Sequence, residues 1–173
     1  MTHPYSAALP VAYVALRILI ICNWLLGAAI VVLLFFMPHE QWLMTSLKLT
    51  PSPDTTRFIW GMRAVAALGL VGVPLNHFVL SRLLAIVKTV RHGRAFIADN
   101  AYRLLFIAWA LLGLQLLSLV IGGIGRAINT TGHPIHLDAG FSPAGWLAVL
   151  LTFILARIFA EGTIMREDLD GTV

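Results

Sequence analysis

Along the chain, apolar residues fall into four blocks at 11–37, 58–87, 101–124 and 143–165, parted by segments that carry most of the charge and proline. Each block is longer than the roughly 20 residues a helix needs to cross a bilayer. The residues are gathered into continuous runs and not spread at the spacing of a soluble core, so the pattern predicts four membrane-spanning helices. The first run is too long for a signal-peptide core and no small-residue cleavage site follows it, which makes it a retained span.

Local chemistry sets the expected boundaries. Pro51 and Pro53 mark the first loop as non-helical, and Asp54 offers an N-cap oxygen for a second helix starting near Thr55. Pro74 lies well inside that helix, where a kink is expected, its freed carbonyl near Leu70 satisfied by a neighbour. Asp99 or Asn100 reads as the N-cap of the third span, and Gly122, Gly123 and Gly125 as its end. Ser142 followed by Pro143 places an N-cap and a first helical residue at the start of the fourth.

Composition sharpens this. Of the 173 residues, 59% are hydrophobic and 12% charged, about half the charged share of a soluble domain. A soluble enzyme and a disordered chain are thereby excluded, and the single cysteine, Cys22, excludes an intrachain disulfide framework. The net charge of +4 does not indicate nucleic acid, because it is concentrated between spans two and three: Lys88, Arg91 and Arg94, flanked by Arg82 and Arg103. The first loop has only Lys48 and Arg57, and Arg126 just precedes the third. Positive residues mark the cytoplasmic side. The expected fold is therefore all-α, one domain over 1–173: a four-transmembrane-helix bundle in a bacterial inner membrane with both termini cytoplasmic. No internal repeat is present.

Two segments carry a resemblance. One is Gly93-Arg-Ala-Phe96-Ile-Ala-Asp-Asn100-Ala-Tyr-Arg103-Leu104, and the other runs from Leu155-Ala-Arg157-Ile-Phe159-Ala-Glu161-Gly162 to the end of the chain. With the four-span layout they resemble the bacterial membrane-protein family catalogued as domain of unknown function 2975. The resemblance implies a four-helix inner-membrane protein, without an established activity, whose members are often encoded beside a small helix-turn-helix regulator. Phe96, Asn100, Arg103, Arg157, Phe159, Glu161 and Gly162 match that pattern. It brings no catalytic residue.

An ionisable group inside hydrocarbon costs about 2.5–3.5 kcal/mol on insertion scales and calls for a partner or a route to water. Arg17, Arg82, Asn100, Arg103, Arg157 and Glu161 all fall in the expected cytoplasmic half. Arg157 and Glu161 are four apart on one helical face, and as the acid among four arginines Glu161 reads as the keystone tying span four to spans one to three. Three roles are open to the group: interhelical glue with arginines snorkelling to headgroups, a cytoplasm-facing anion or partner pocket, and an ion pathway.

Asn76 and His77 form a mid-membrane polar pair. No second histidine lies at their depth, so bis-histidine haem ligation is not indicated and a hydrogen-bonded core histidine is expected. His133, His136 and Asp138 in the third loop, with His39 beyond span one, have ligand types that suit zinc or copper, though two-ligand spacing is a weak signature. Trp42, Trp60 and Trp146 fit an interfacial belt, whereas Trp24 and Trp109 are expected inside the bundle. Nucleotide-binding, metalloprotease and nucleophile-elbow motifs are absent from the sequence. The expectation is thus a non-enzymatic sensing or regulatory membrane protein without a cofactor, partnered by lipid, by a cytoplasmic regulator or by further copies of itself. The alternatives are a small oligomeric transporter or channel, and a structural or assembly protein.

Overall fold

The computed structural model describes residues 5–36, 53–128 and 140–170. They form four α-helices: α1 (Tyr5–Phe36), α2 (Pro53–Arg91), α3 (Ala98–Ile128) and α4 (Pro143–Asp170). All four are long and apolar enough to cross a membrane, over Ala8–Phe35, Thr56–Arg91, Ala98–Ile128 and Pro143–Arg166.

The helices run past several expected ends. α2 begins at Pro53, not near Thr55: proline's missing N–H and fixed φ suit a first helical position, so Asp54 lies inside the first turn instead of capping it. α2 continues through Pro74, and the carbonyl that receives help there is that of Val73, from Asn23 Nδ2 at 3.1 Å, not that of Leu70. α3 starts at Ala98, so neither Asp99 nor Asn100 is its N-cap, and it runs through Gly122, Gly123 and Gly125 to Ile128. The start of α4 agrees with expectation: the Gly145 N–H donates to Ser142 Oγ at 3.2 Å and the Trp146 N–H to the Ser142 carbonyl at 3.1 Å.

Packing departs from a bundle. Among the described residues α1 packs on α2, α2 on α3 and α3 on α4, and no other pair of helices comes close. The helices form an open row, each against its neighbours in sequence. Two apolar clusters hold it: Phe58 and Ile59 with Leu34 and Met62 at one end of the α1–α2 seam, and Val79, Ile107 and Ala110 with Phe78 and Leu83 between α2 and α3. The α3–α4 seam is closed by Trp109 edge-on to Phe153 at 5.3 Å, and by Gln115 Nε2 donating to the Ser142 carbonyl at 3.3 Å.

A row of this kind leaves apolar side chains outward, such as Val14, Leu26, Leu116 and Leu150, each more than half exposed. Trp24 and Trp109 belong to this surface, at 56% and 58% exposure, and not to an interior. Soluble monomers rarely carry contiguous apolar surface on this scale. Four helices of this length and apolar content have the architecture a multi-pass membrane protein requires.

Candidate functional site

The most constrained polar structure is the turn joining α2 to α3. α2 closes with a Schellman motif: the Arg94 N–H donates to the Thr89 carbonyl and the Gly93 N–H to the Val90 carbonyl, each at 3.0 Å. The motif needs a left-handed residue, and Gly93 supplies it at φ 72°. The side chains of Lys88, Arg91, His92 and Arg94 are exposed around it.

Asn100, with 0% exposure, locks this turn from beneath. Its Nδ2 donates to the Ala95 carbonyl and to Thr89 Oγ1, both at 2.8 Å. The Thr89 hydroxyl sends its own proton to the Ile86 carbonyl at 2.8 Å, which leaves its oxygen free to accept. Asn100 Oδ1 accepts from Arg103 Nη1 at 2.9 Å, and Arg103 also faces Asp99 at 3.6 Å. The network fixes the amide's orientation, since a backbone carbonyl can only accept. Each polar atom of the buried amide is satisfied.

Phe96, at the crest of the turn, leans on α4. Its ring lies 5.1 Å from that of Phe159, and it covers Gly162 so closely that a Cβ there would fall 2.9 Å from Phe96 Cδ1. Five residues of the family resemblance (Phe96, Asn100, Arg103, Phe159 and Gly162) thus come together at one end of the α2–α3–α4 row.

The remaining charged residues do not converge on Glu161. Arg157 Nε bonds Glu161 Oε1 at 2.8 Å, but their side chains are 79% and 51% exposed. Arg17 lies over the Tyr13 ring, its guanidinium carbon 5.1 Å from the centroid, and Arg82 lies over Phe78 and Phe106 at 4.9 and 5.9 Å. The keystone expectation therefore fails: α1 and α2 do not approach α4, and aromatic faces take the place of the acid for Arg17 and Arg82. Between α3 and α4 lies an open groove of about 540 Å³ lined by Ala98, Ala101, Tyr102, Ala156 and Ala160, with Arg157 at its rim.

Asn76 and His77 do form a polar pair, joined to α1. Asn76 Nδ2 donates to Asn23 Oδ1 at 2.9 Å, Asn23 Nδ2 donates to the Val73 carbonyl, and Trp24 Nε1 donates to His77 Nδ1 at 3.2 Å. His77 accepting at Nδ1 carries its proton on Nε2. This is a hydrogen-bonded histidine in an interhelical network, as expected for interhelical polar contacts in a bilayer. His39, His133, His136, Asp138 and Trp42 lie outside the described residues.

Sequence reasoning did not single out Thr89 or Tyr13 for these roles. The Tyr13–Arg17 spacing of four was a visible signal, placing ring and guanidinium on one helical face. Thr89 gave none, because its partner is reached only after the chain reverses. Comparison with protein-family models, with curated proteins and with solved structures finds no match for this chain.

Proposed function

We propose that the chain is a non-enzymatic, multi-pass protein of a bacterial inner membrane that acts as a sensing or regulatory partner through its cytoplasmic face. The observation that carries this reading is the turn built on Asn100. Its backbone is fixed by a wholly buried amide, while Lys88, His92 and Arg94 project from it in the open. A flexible loop would lose conformational entropy on every encounter, whereas a preformed one meets a partner ready-shaped. The charge of the turn suits an acidic protein surface, and the resemblance to the family of domain of unknown function 2975 supports a helix-turn-helix regulator as that partner. The concentration of Lys and Arg in this turn supports its cytoplasmic location, with both termini on the same side.

Two experiments test this. In a Cys22→Ala background, Arg94→Cys and Pro134→Cys are expected to label from opposite sides of the membrane, and periplasmic labelling at position 94 would reverse the topology. A photoreactive residue at His92 is expected to yield one discrete adduct with a soluble protein, lost on charge removal at Lys88 and Arg94. Adducts that match those from a residue at Thr131 would refute the partner reading. A small oligomeric transporter or channel is the second reading. The open row favours it, because its outward apolar faces are available for further copies to complete a path.

A further inference from the structure

Arg17 and Arg91 come from different helices to the same aromatic ring. Their guanidinium carbons lie 5.1 and 5.3 Å from the Tyr13 centroid. The two cations are therefore at most about 10 Å apart, close to the screening length of physiological salt, about 8–10 Å. No carboxylate among the described residues pairs with either; Asp99 pairs with Arg103 and Glu161 with Arg157, both on other helices. The tyrosine face offsets part of the repulsion, but neither net charge has a counter-ion among the described residues.

The face below them is apolar and open. Ile21 and Leu25 continue one and two turns along the α1 face that carries Arg17, with Ile18 beside them, at exposures of 59%, 64% and 55%. Arg17 lies within the apolar span Ala8–Phe35, and it reaches back one turn toward the helix N-terminus to meet Tyr13. A phosphate at the ring, with hydrocarbon running down the helix, satisfies both halves of this surface. Basic pockets between helices at a membrane surface bind anionic headgroups by the same chemistry.

We propose that Arg17, Arg91 and Tyr13 form a binding site for an anionic phospholipid, whose phosphate bridges the two guanidinium groups and whose acyl chain lies along Ile18, Ile21 and Leu25. The inference rests on the membrane reading above but not on the cytoplasmic partner. A zwitterionic lipid fits less well, since its own cation would add a positive charge to a place that already holds two. Each guanidinium contributes about fivefold to the local enrichment of anionic lipid.

The test uses the full chain with a fluorophore on Cys22, its one cysteine, exposed on α1. The labelled protein is reconstituted into phosphatidylcholine nanodiscs and titrated with brominated phosphatidylglycerol or, at equal mole fraction, brominated phosphatidylcholine. Phosphatidylglycerol is expected to quench at the lower fraction, Arg17→Gln and Arg91→Gln each to weaken that preference about fivefold, and Arg94→Gln to preserve it. Equal quenching of the parent by both lipids overturns the site whatever the variants do, as does an equal loss in Arg94→Gln, which would mean diffuse surface charge. Displacement of the brominated lipid by inorganic phosphate overturns it in favour of a soluble anion. A chain that does not enter the nanodisc refutes the membrane reading and the site with it, whereas a chain that enters and shows no preference refutes the site alone.

Discussion

Replacing Asn100 with alanine removes the donor shared by the Ala95 carbonyl and Thr89 Oγ1, and the acceptor of Arg103 Nη1. Thr89 keeps its bond to Ile86, and Arg103 keeps Asp99 and some exposure to water, so neither is stranded. The Ala95 carbonyl loses the buried amide that satisfied it. A group left unsatisfied costs about 1–3 kcal/mol and each of the two further hydrogen bonds about 0.5–1.5 kcal/mol, so Asn100→Ala is expected to destabilise by about 2–6 kcal/mol. Asn100→Asp separates two explanations. If pairing with Arg103 were the role of Asn100, a carboxylate would strengthen it and stabilise the protein. If the role is to hold the turn, Asp destabilises, because it turns lone pairs toward the Ala95 and Arg94 carbonyls. Thermal unfolding in detergent should show both variants below the parent, and amide exchange at Arg94, bonded to the Thr89 carbonyl, should accelerate. An Asp variant as stable as the parent, or an Ala variant with unchanged exchange at Arg94, would refute the reasoning.

Three further outcomes follow from local geometry. Gly162→Ala should cost about 1–3 kcal/mol by overpacking against the Phe96 ring, and Phe96→Ala in the same chain should relieve most of it; additive losses in a double-mutant cycle would contradict the contact. Ser142→Ala should cost about 1 kcal/mol, read as a lower thermal midpoint, by removing the acceptor of the Gly145 N–H. Glu161→Gln should change stability by no more than about 0.5 kcal/mol, since its bond to Arg157 is solvent-exposed and spans one helical turn; a large loss would restore Glu161 as a keystone.

The four helices were legible because length and apolar content alone define a span, and the start of α4 was legible because a Ser-Pro cap is local chemistry. The row was not. With apolar residues on every side of each helix, composition does not say which face meets a neighbour and which meets lipid, as the exposed Trp24 and Trp109 show. Asn100 was misread for a related reason. An asparagine near a helix start has the chemistry of a cap, and only the reversal of the chain brings the Ala95 carbonyl and Thr89 within its reach. Counting charges grouped Arg17 and Arg82 with Glu161, because sequence gives the depth of a cation but not the ring it lies on.

Because every interhelical seam among the described residues joins neighbours in sequence, the order of synthesis is also the order of assembly. Each helix that follows α1 finds its packing partner already made, with no wait for a distant segment. Such a chain behaves as a one-dimensional array, whose cohesion is a series of nearest-neighbour links and not one shared interior. Its ends can then peel away independently: loss of α1 breaks the Asn23–Asn76 and Trp24–His77 links and leaves the Asn100 turn and its seat on α4 intact.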